Sequence, residues 1–176
     1  FYNSFEDGDS RRDATVLDIE AFAAATGANY TEGYDHTGYF NNKYIPRAGE
    51  SGGQTELNYL TNFRIIRYSD VLLMAAEAYN RGGIDDGLAQ EFLNQVRRRA
   101  FGDDNHDISA SGTALTDAIW EERKFELSLE GHRFFDLVRT GRASALIPGF
   151  TEGKHEVFPI PQQEVDISGL TQNAGY

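Results

Sequence analysis

The chain has 176 residues, with 28 acidic against 16 basic side chains and a formal net charge of −12. A field of that sign repels phosphate backbones and argues against a nucleic-acid partner. The lack of cysteine excludes disulfide frameworks and thiolate chemistry, and no run reaches the ~20 apolar residues that a membrane helix needs. The hydrophobic content of 40% supplies core for one domain, and nine Tyr with twelve Phe make flat rings abundant.

The sequence opens on Phe1-Tyr2-Asn3 without a methionine, which reads as a fragment lacking its beginning. Residues 1–60 hold most of the turn chemistry: Asp7-Gly8-Asp9, Thr26-Gly27-Ala28-Asn29, Glu32-Gly33 and the glycines from Gly49 to Gly53. Only Ala14 to Ala25 has helix-compatible composition there, with Val16, Leu17, Ile19 and Phe22 as its apolar set. Tyr39-Phe40 and Lys43-Tyr44-Ile45 read as short extended pieces. Five rings of this irregular third (Tyr30, Tyr34, Tyr39, Phe40 and Tyr44) fall among Gly and Asn residues. Rings on loops held by a rigid scaffold suit neutral polar ligands, although the same rings can simply anchor the loops. Asn29, Tyr34, Tyr39 and Asn41 are therefore the candidate ligand contacts.

Residues 61–141 read as a helical scaffold. A helix over 63–81 is apolar around most of its girth through Ile65, Ile66, Tyr68, Leu72, Leu73, Ala75, Ala76 and Tyr79, which predicts burial. Gly82-Gly83 stops it, Asp85-Asp86 caps the next, and Leu88, Phe92, Val96 and Ala100 form the stripe of a second helix over 88–100. The pair makes a hairpin of about 34 residues, the length of a tetratricopeptide unit. A third helix is predicted over Thr113 to Glu130 with Gly131 as its stop, and a short fourth over His132 to Arg139. Residues 142–176 read as an extended tail after Pro148, with Pro159 and Pro161 pinning the backbone around Ile160.

Glu122, Glu126 and Glu130 recur every four residues, so they share one helix face and need cations opposite. Arg97, Arg98, Arg99, Arg123, Arg133 and Arg139 are the nearest in sequence. The favoured reading is a structural Glu–Arg network, with acid/base work of a glycosidase on Glu126 and Glu130 as the rival. No nucleophile–base signature, phosphate loop or dinucleotide fingerprint occurs, so no catalytic residue and no cofactor is assigned. His106 and His132 stand apart from any second ligand at metal-binding spacing. The run Asp103-Asp104-Asn105-His106-Asp107 starts like a calcium loop, but Ile108 stands where glycine is required and Ala114 where the bidentate Glu belongs. No metal site is expected.

Four ordered stretches resemble the SusD/RagB family. They are Arg64 to Ala78 (Arg-Ile-Ile-Arg-Tyr-Ser-Asp-Val-Leu-Leu-Met-Ala-Ala-Glu-Ala), Leu93 to Ala100, Ile119 to Gly141, and the tail with Phe158-Pro159-Ile160-Pro161 and Leu170-Thr171-Gln172-Asn173-Ala174-Gly175-Tyr176. Asp9-Ser10-Arg11 faintly echoes a further Asp-Pro-Arg element without its proline, and Ser168-Gly169 and Ala174 depart from the family's usual tail. The resemblance implies a mostly α-helical SusD-like fold with tetratricopeptide-like hairpins and long ordered loops, the chain being its C-terminal part. It implies a non-enzymatic surface protein, held to the outer membrane by a lipid on an upstream cysteine. Such a protein binds oligosaccharides, or in some members peptides, and delivers them to a TonB-dependent SusC-like β-barrel; the alternative reading of the chain is a non-binding helical scaffold that holds a protein partner. It further implies that the N-terminal part of the same protein is a partner of these residues. The recognised motifs look like scaffold, and none carries over a ligand-binding residue.

Overall fold

The computed structural model describes residues 1–45 and 61–176, and among these it is mostly helical. The chain divides into two compact units, Phe1–Gly131 and His132–Tyr176. The glycine-rich stretch expected as turns at 49–53 lies outside the described residues.

The first unit begins with irregular chain and a single 3-10 turn at Tyr2–Ser4. The helix expected over Ala14 to Ala25 is instead three elements: α1 (Arg11–Thr15), β1 (Val16–Asp18) and α2 (Ile19–Thr26). Two local forces divide it. Val16 and Leu17 pair with a second strand, β2 (Tyr39–Asn41), in antiparallel register Val16↔Asn41, Leu17↔Phe40 and Asp18↔Tyr39. Asp18 then acts as a cap, its carboxylate accepting from the Ala21 N–H at 2.9 Å, which starts α2 afresh. The extended piece foreseen at Tyr39-Phe40 is thus a strand, whereas Lys43-Tyr44 forms a bend.

α3 (Tyr68–Arg81), α4 (Asp86–Phe101) and α5 (Gly112–Glu126) carry the core. Leu72, Leu73 and Ala76 of α3 meet Ala89, Leu93 and Val96 of α4 and Leu115 and Ile119 of α5 in one buried cluster. The α3–α4 hairpin has its cap where the sequence puts it: the Asp85 carboxylate accepts from the Leu88 N–H at 3.0 Å. Gly82 is required because a Cβ there would lie 2.6 Å from the Ala78 carbonyl oxygen. Asp86 accepts from the Asn80 side chain and from the Gly112 N–H, both at 2.7 Å, and so ties the three helices together at one end.

Two helix boundaries differ from expectation, for one electrostatic reason. α3 starts at Tyr68 rather than near residue 63, and Ile65, Ile66 and Tyr68 are exposed, so only one face of this helix is buried. Arg67 just before it is extended and gives its guanidinium to Glu126 and Glu130. α5 stops at Glu126 instead of Glu130. The Glu126 carbonyl, which the next helical turn would use, accepts instead from Lys43 Nζ at 2.8 Å and Arg67 Nη2 at 2.9 Å. The chain then turns through Leu129, whose φ of 63° is a left-handed conformation.

The second unit contains α6 (Arg133–Arg139), α7 (Ala143–Leu146) and α8 (Gln162–Ser168). The tail is therefore not extended throughout. Pro161 lies immediately before α8, Gln162 donates to Asp166 one turn on, and Gly169 ends the helix at φ 64°. Before it, the proline-pinned run behaves as expected. Prolines at 159 and 161 leave Ile160 with the one N–H of that tripeptide. The Gln172 side-chain amide takes that N–H and the Ile160 carbonyl together, each at 2.7 Å, like a strand partner. Asn173 donates to the Phe158 carbonyl at 2.6 Å and the Tyr176 hydroxyl to that of Val157 at 3.0 Å. The final motif is a clasp on the proline run.

Candidate functional site

Two constellations of the first unit can bear function: the glutamate row on α5 and a cleft of loop aromatics.

The glutamates are buried and saturated. Glu122 accepts from Arg97 at 2.8 Å and from Arg11, which is also held by Asp9 through both carboxylate oxygens. Glu126 accepts from Arg67 at 2.8 Å, from Arg11 at 3.2 Å and from Arg99. Glu130 accepts from Lys43 at 2.6 Å and from Arg67 at 2.8 Å. Burial alone would push the Glu126 and Glu130 carboxyls up, but Arg99 and Arg67 around Glu126, and Arg67 and Lys43 around Glu130, outweigh it and hold both below the usual range. A glycosidase acid needs the opposite shift, a carboxyl kept protonated near neutrality. The geometry is that of a structural ladder.

Its partners differ partly from those nearest in sequence. Arg97 and Arg99 join the ladder, but Arg123 pairs with Asp70, Arg139 with Asp136 and Arg98 with Glu91 and Asp107. Arg11, Lys43 and Arg67 come from segments 59 to 115 residues away, and helical spacing cannot announce them. The Asp9-Ser10-Arg11 triplet was a signal for one of them.

The cleft has a volume of about 380 Å³ and lies where β2 meets the first residues of the chain. Tyr2 and Tyr39 stack with centroids 4.6 Å apart and 25° between planes. Phe1 and Phe40 add apolar walls, while Asn3, Thr37 and Asn41 add amides and a hydroxyl. Leu129, the residue in left-handed conformation, also lines it. Phe1 and Phe5 pack against Phe125 of α5, which seats this segment on the scaffold. No charged side chain lines the cleft among the described residues. Stacking rings with neutral donors and acceptors can hold a sugar ring by its face and its hydroxyls.

Of the four candidate contacts, the structure brings Tyr39 and Asn41 together in this cleft. Asn29 and Tyr34 lie outside its lining, in the loop after α2, both exposed and Tyr34 at 99%. Tyr30 packs on His36 and Phe40 as a loop anchor, and Tyr44 stacks on Phe63. Phe1, Tyr2, Asn3 and Leu129 were not foreseen, since only the β1–β2 ribbon reveals their proximity. Among the described residues no group of three or more His, Asp or Glu is placed to hold a metal ion. The Asp103–Asp107 loop is folded on itself, with the Asn105 N–H on Asp103 and Asp107 held by Arg98.

A family model describing the SusD family matches residues 1–156. The chain belongs to the SusD family. SusD-like protein P2 of Formosa agariphila is 30% identical over 150 residues, which cover 76% of this chain and 29% of that protein. Among solved structures, surface glycan-binding protein A from Bacteroides thetaiotaomicron superposes with a TM-score of 0.83 at 36% identity, over 98% of this chain and 40% of that one. The same protein in complex with laminarihexaose gives 0.82 at 35%, again over 98% of this chain and 39% of that one. A laminarin-binding SusD-like protein gives 0.79 at 43%, over 97% of this chain and 36% of that one. The chain thus spans under a third of this curated relative and about two fifths of these structures.

In this SusD-family chain the motif stretches supply most of the ladder, Arg11, Asp9 and Lys43 joining it from outside them. Arg67, Arg97, Arg99, Glu122, Glu126 and Glu130 all lie inside them, and Gln172 and Asn173 of the tail form the clasp. The recognisable residues hold the fold; the cleft is lined from outside them, apart from Leu129.

Proposed function

We propose that this chain is part of a surface glycan-binding protein that captures oligosaccharides and delivers them to a TonB-dependent SusC-like barrel at the outer membrane, anchored there by lipid and acting without catalysis. The ligand class is laminarin-type oligosaccharide, and the Tyr2–Tyr39 cleft is a contact site for it. One observation carries the reading: neighbours 35% and 43% identical are a laminarihexaose complex and a laminarin binder. The uncharged, ring-lined cleft agrees with a neutral sugar.

Titration calorimetry with laminarihexaose, a panel of other glycans and a set of peptides tests it. Heat with laminarihexaose is expected, and Tyr39→Ala is expected to weaken it by about tenfold, the upper worth of one lost stacking contact. Peptide binding with no heat from any sugar overturns the glycan reading. Undiminished affinity in Tyr39→Ala removes the cleft from it.

A further inference from the structure

A second cavity, of about 360 Å³, lies beside the glutamate ladder and has the opposite character to the neutral cleft. Arg11, Lys43, Arg64, Arg67 and Arg99 line it, with Glu126 and Glu130 as the carboxylates among the described residues. A chain with 16 basic residues places five of them around this one hollow. The ladder occupies three: Arg11 on Asp9 and Glu122, Lys43 on Glu130, Arg67 on Glu126 and Glu130. Two guanidiniums keep unused donors. Arg99 places one nitrogen on Glu126 while its side chain is 57% exposed, and exposed Arg64 makes no hydrogen bond or ion pair among the described residues.

The local field is positive in consequence. Burial raises the Glu126 and Glu130 carboxyls, and the surrounding cations still draw both below their ordinary range. Beside these two exposed guanidiniums stands a flat apolar surface: Tyr44 lines the cavity and stacks on Phe63 at 5.7 Å with 26° between planes. Phe63 is itself exposed. A planar fork of donors next to a ring pair is complementary to a sugar that carries a carboxylate: the fork takes the anion, the rings take the sugar face.

We infer that the cavity at Arg64 and Arg99 binds an acidic sugar of the hexuronic acid class. The guanidiniums hold its carboxylate and the Tyr44–Phe63 pair its ring. This site is separate from the neutral cleft, and its occupation does not depend on the laminarin reading.

Titration of the full chain with glucuronate, glucose and acetate, by saturation-transfer NMR and calorimetry, tests the inference. Glucuronate is expected to bind more tightly than acetate, which lacks the ring face, and to weaken as salt rises because the contact is ionic. Arg64→Ala should weaken glucuronate by about tenfold or more, as loss of a charge-assisted contact does, and Arg64→Glu should abolish it. Since Arg64 is exposed and makes no ion pair among the described residues, both variants should melt like the parent. Tyr39→Ala should leave glucuronate binding intact, which separates failure here from failure at the cleft. Unchanged glucuronate affinity in Arg64→Ala overturns the inference, as does acetate binding equal to glucuronate, which marks a bare anion site.

Discussion

Replacing Glu126 by Gln removes one negative charge from the centre of the ladder and almost no volume. The side chain is 1% exposed, so water cannot compensate. Arg11, Arg67 and Arg99 would then face a neutral amide, and the amide NH2 end would confront at least one of their donors. Breaking a buried pair from one side costs about 3–5 kcal/mol because it strands the opposite charge. Three cations share the loss and Arg11 and Arg67 keep other carboxylates, so the lower figure, about 3 kcal/mol, is expected. For a chain of this size that lowers Tm by about 6–12 °C. Circular-dichroism melts measure it, with Glu121→Gln as control: Glu121 is half exposed and its pair with Lys124 is a surface pair, so its Tm should stay within ~2 °C. The acid limb gives a second readout. Glu126 and Glu130 titrate below their ordinary values in the fold, so the unfolded chain binds the more protons between the two values. Stability is therefore fully present above about pH 4.5 and is lost as pH falls through the folded values. Glu126→Gln should flatten that slope. A Tm within ~2 °C of the parent, or an unchanged acid slope, refutes the ladder as the support of the fold.

Three further outcomes follow from single contacts. Leu73→Ala empties a fully buried position between α3, α4 and α5 and should cost about 2–5 kcal/mol in urea unfolding, with m unchanged. Gln172→Leu leaves the Ile160 N–H and carbonyl without their shared partner; amide exchange at Ile160 should accelerate by about tenfold or more, a loss of roughly 1–3 kcal/mol. Leu129→Gly frees a left-handed residue that costs about 1–2 kcal/mol as leucine, so Tm should hold or rise although a half-exposed side chain is lost.

What the sequence revealed is what periodicity and punctuation can carry. The α3–α4 hairpin, its Asp85 cap and its glycine stop follow from spacing, because each is decided within one or two turns of chain. The glutamate row was visible as a problem needing cations, since identical charges four apart repel. Its solution was only half visible: Arg97 and Arg99 lie close by in sequence, whereas Arg11, Lys43 and Arg67 arrive through loop closure. The helix ends were misplaced for the same reason. Propensity favours continuing α5 to Glu130, but two cations compete for the Glu126 carbonyl and win it. The cleft was legible as rings in a glycine-rich loop, not as a set, because the Tyr2–Tyr39 stack exists only once β1 pairs with β2. α8 escaped because Pro159 and Pro161 argue for extension up to the residue where the helix begins.

The ladder and the cleft are not independent devices. Lys43 sits two residues beyond β2 and reaches back to Glu130 and the Glu126 carbonyl, while its own N–H donates to the Asn41 side chain at 2.9 Å. Asn41 lines the cleft, as does Leu129, which lies between the two glutamates that Lys43 touches. Charge pairing that ends α5 thereby sets both the ribbon bearing Tyr39 and the left-handed turn at Leu129, two parts of the same lining. A loop of Gly, Asn and Tyr has little apolar area with which to fix its own shape. The ion pairs supply that fixation through carboxylates that are themselves buried, Glu126 and Glu130, while Tyr39 stays partly exposed. The motif residues can therefore shape the cleft while contributing almost none of the surface that a ligand would meet.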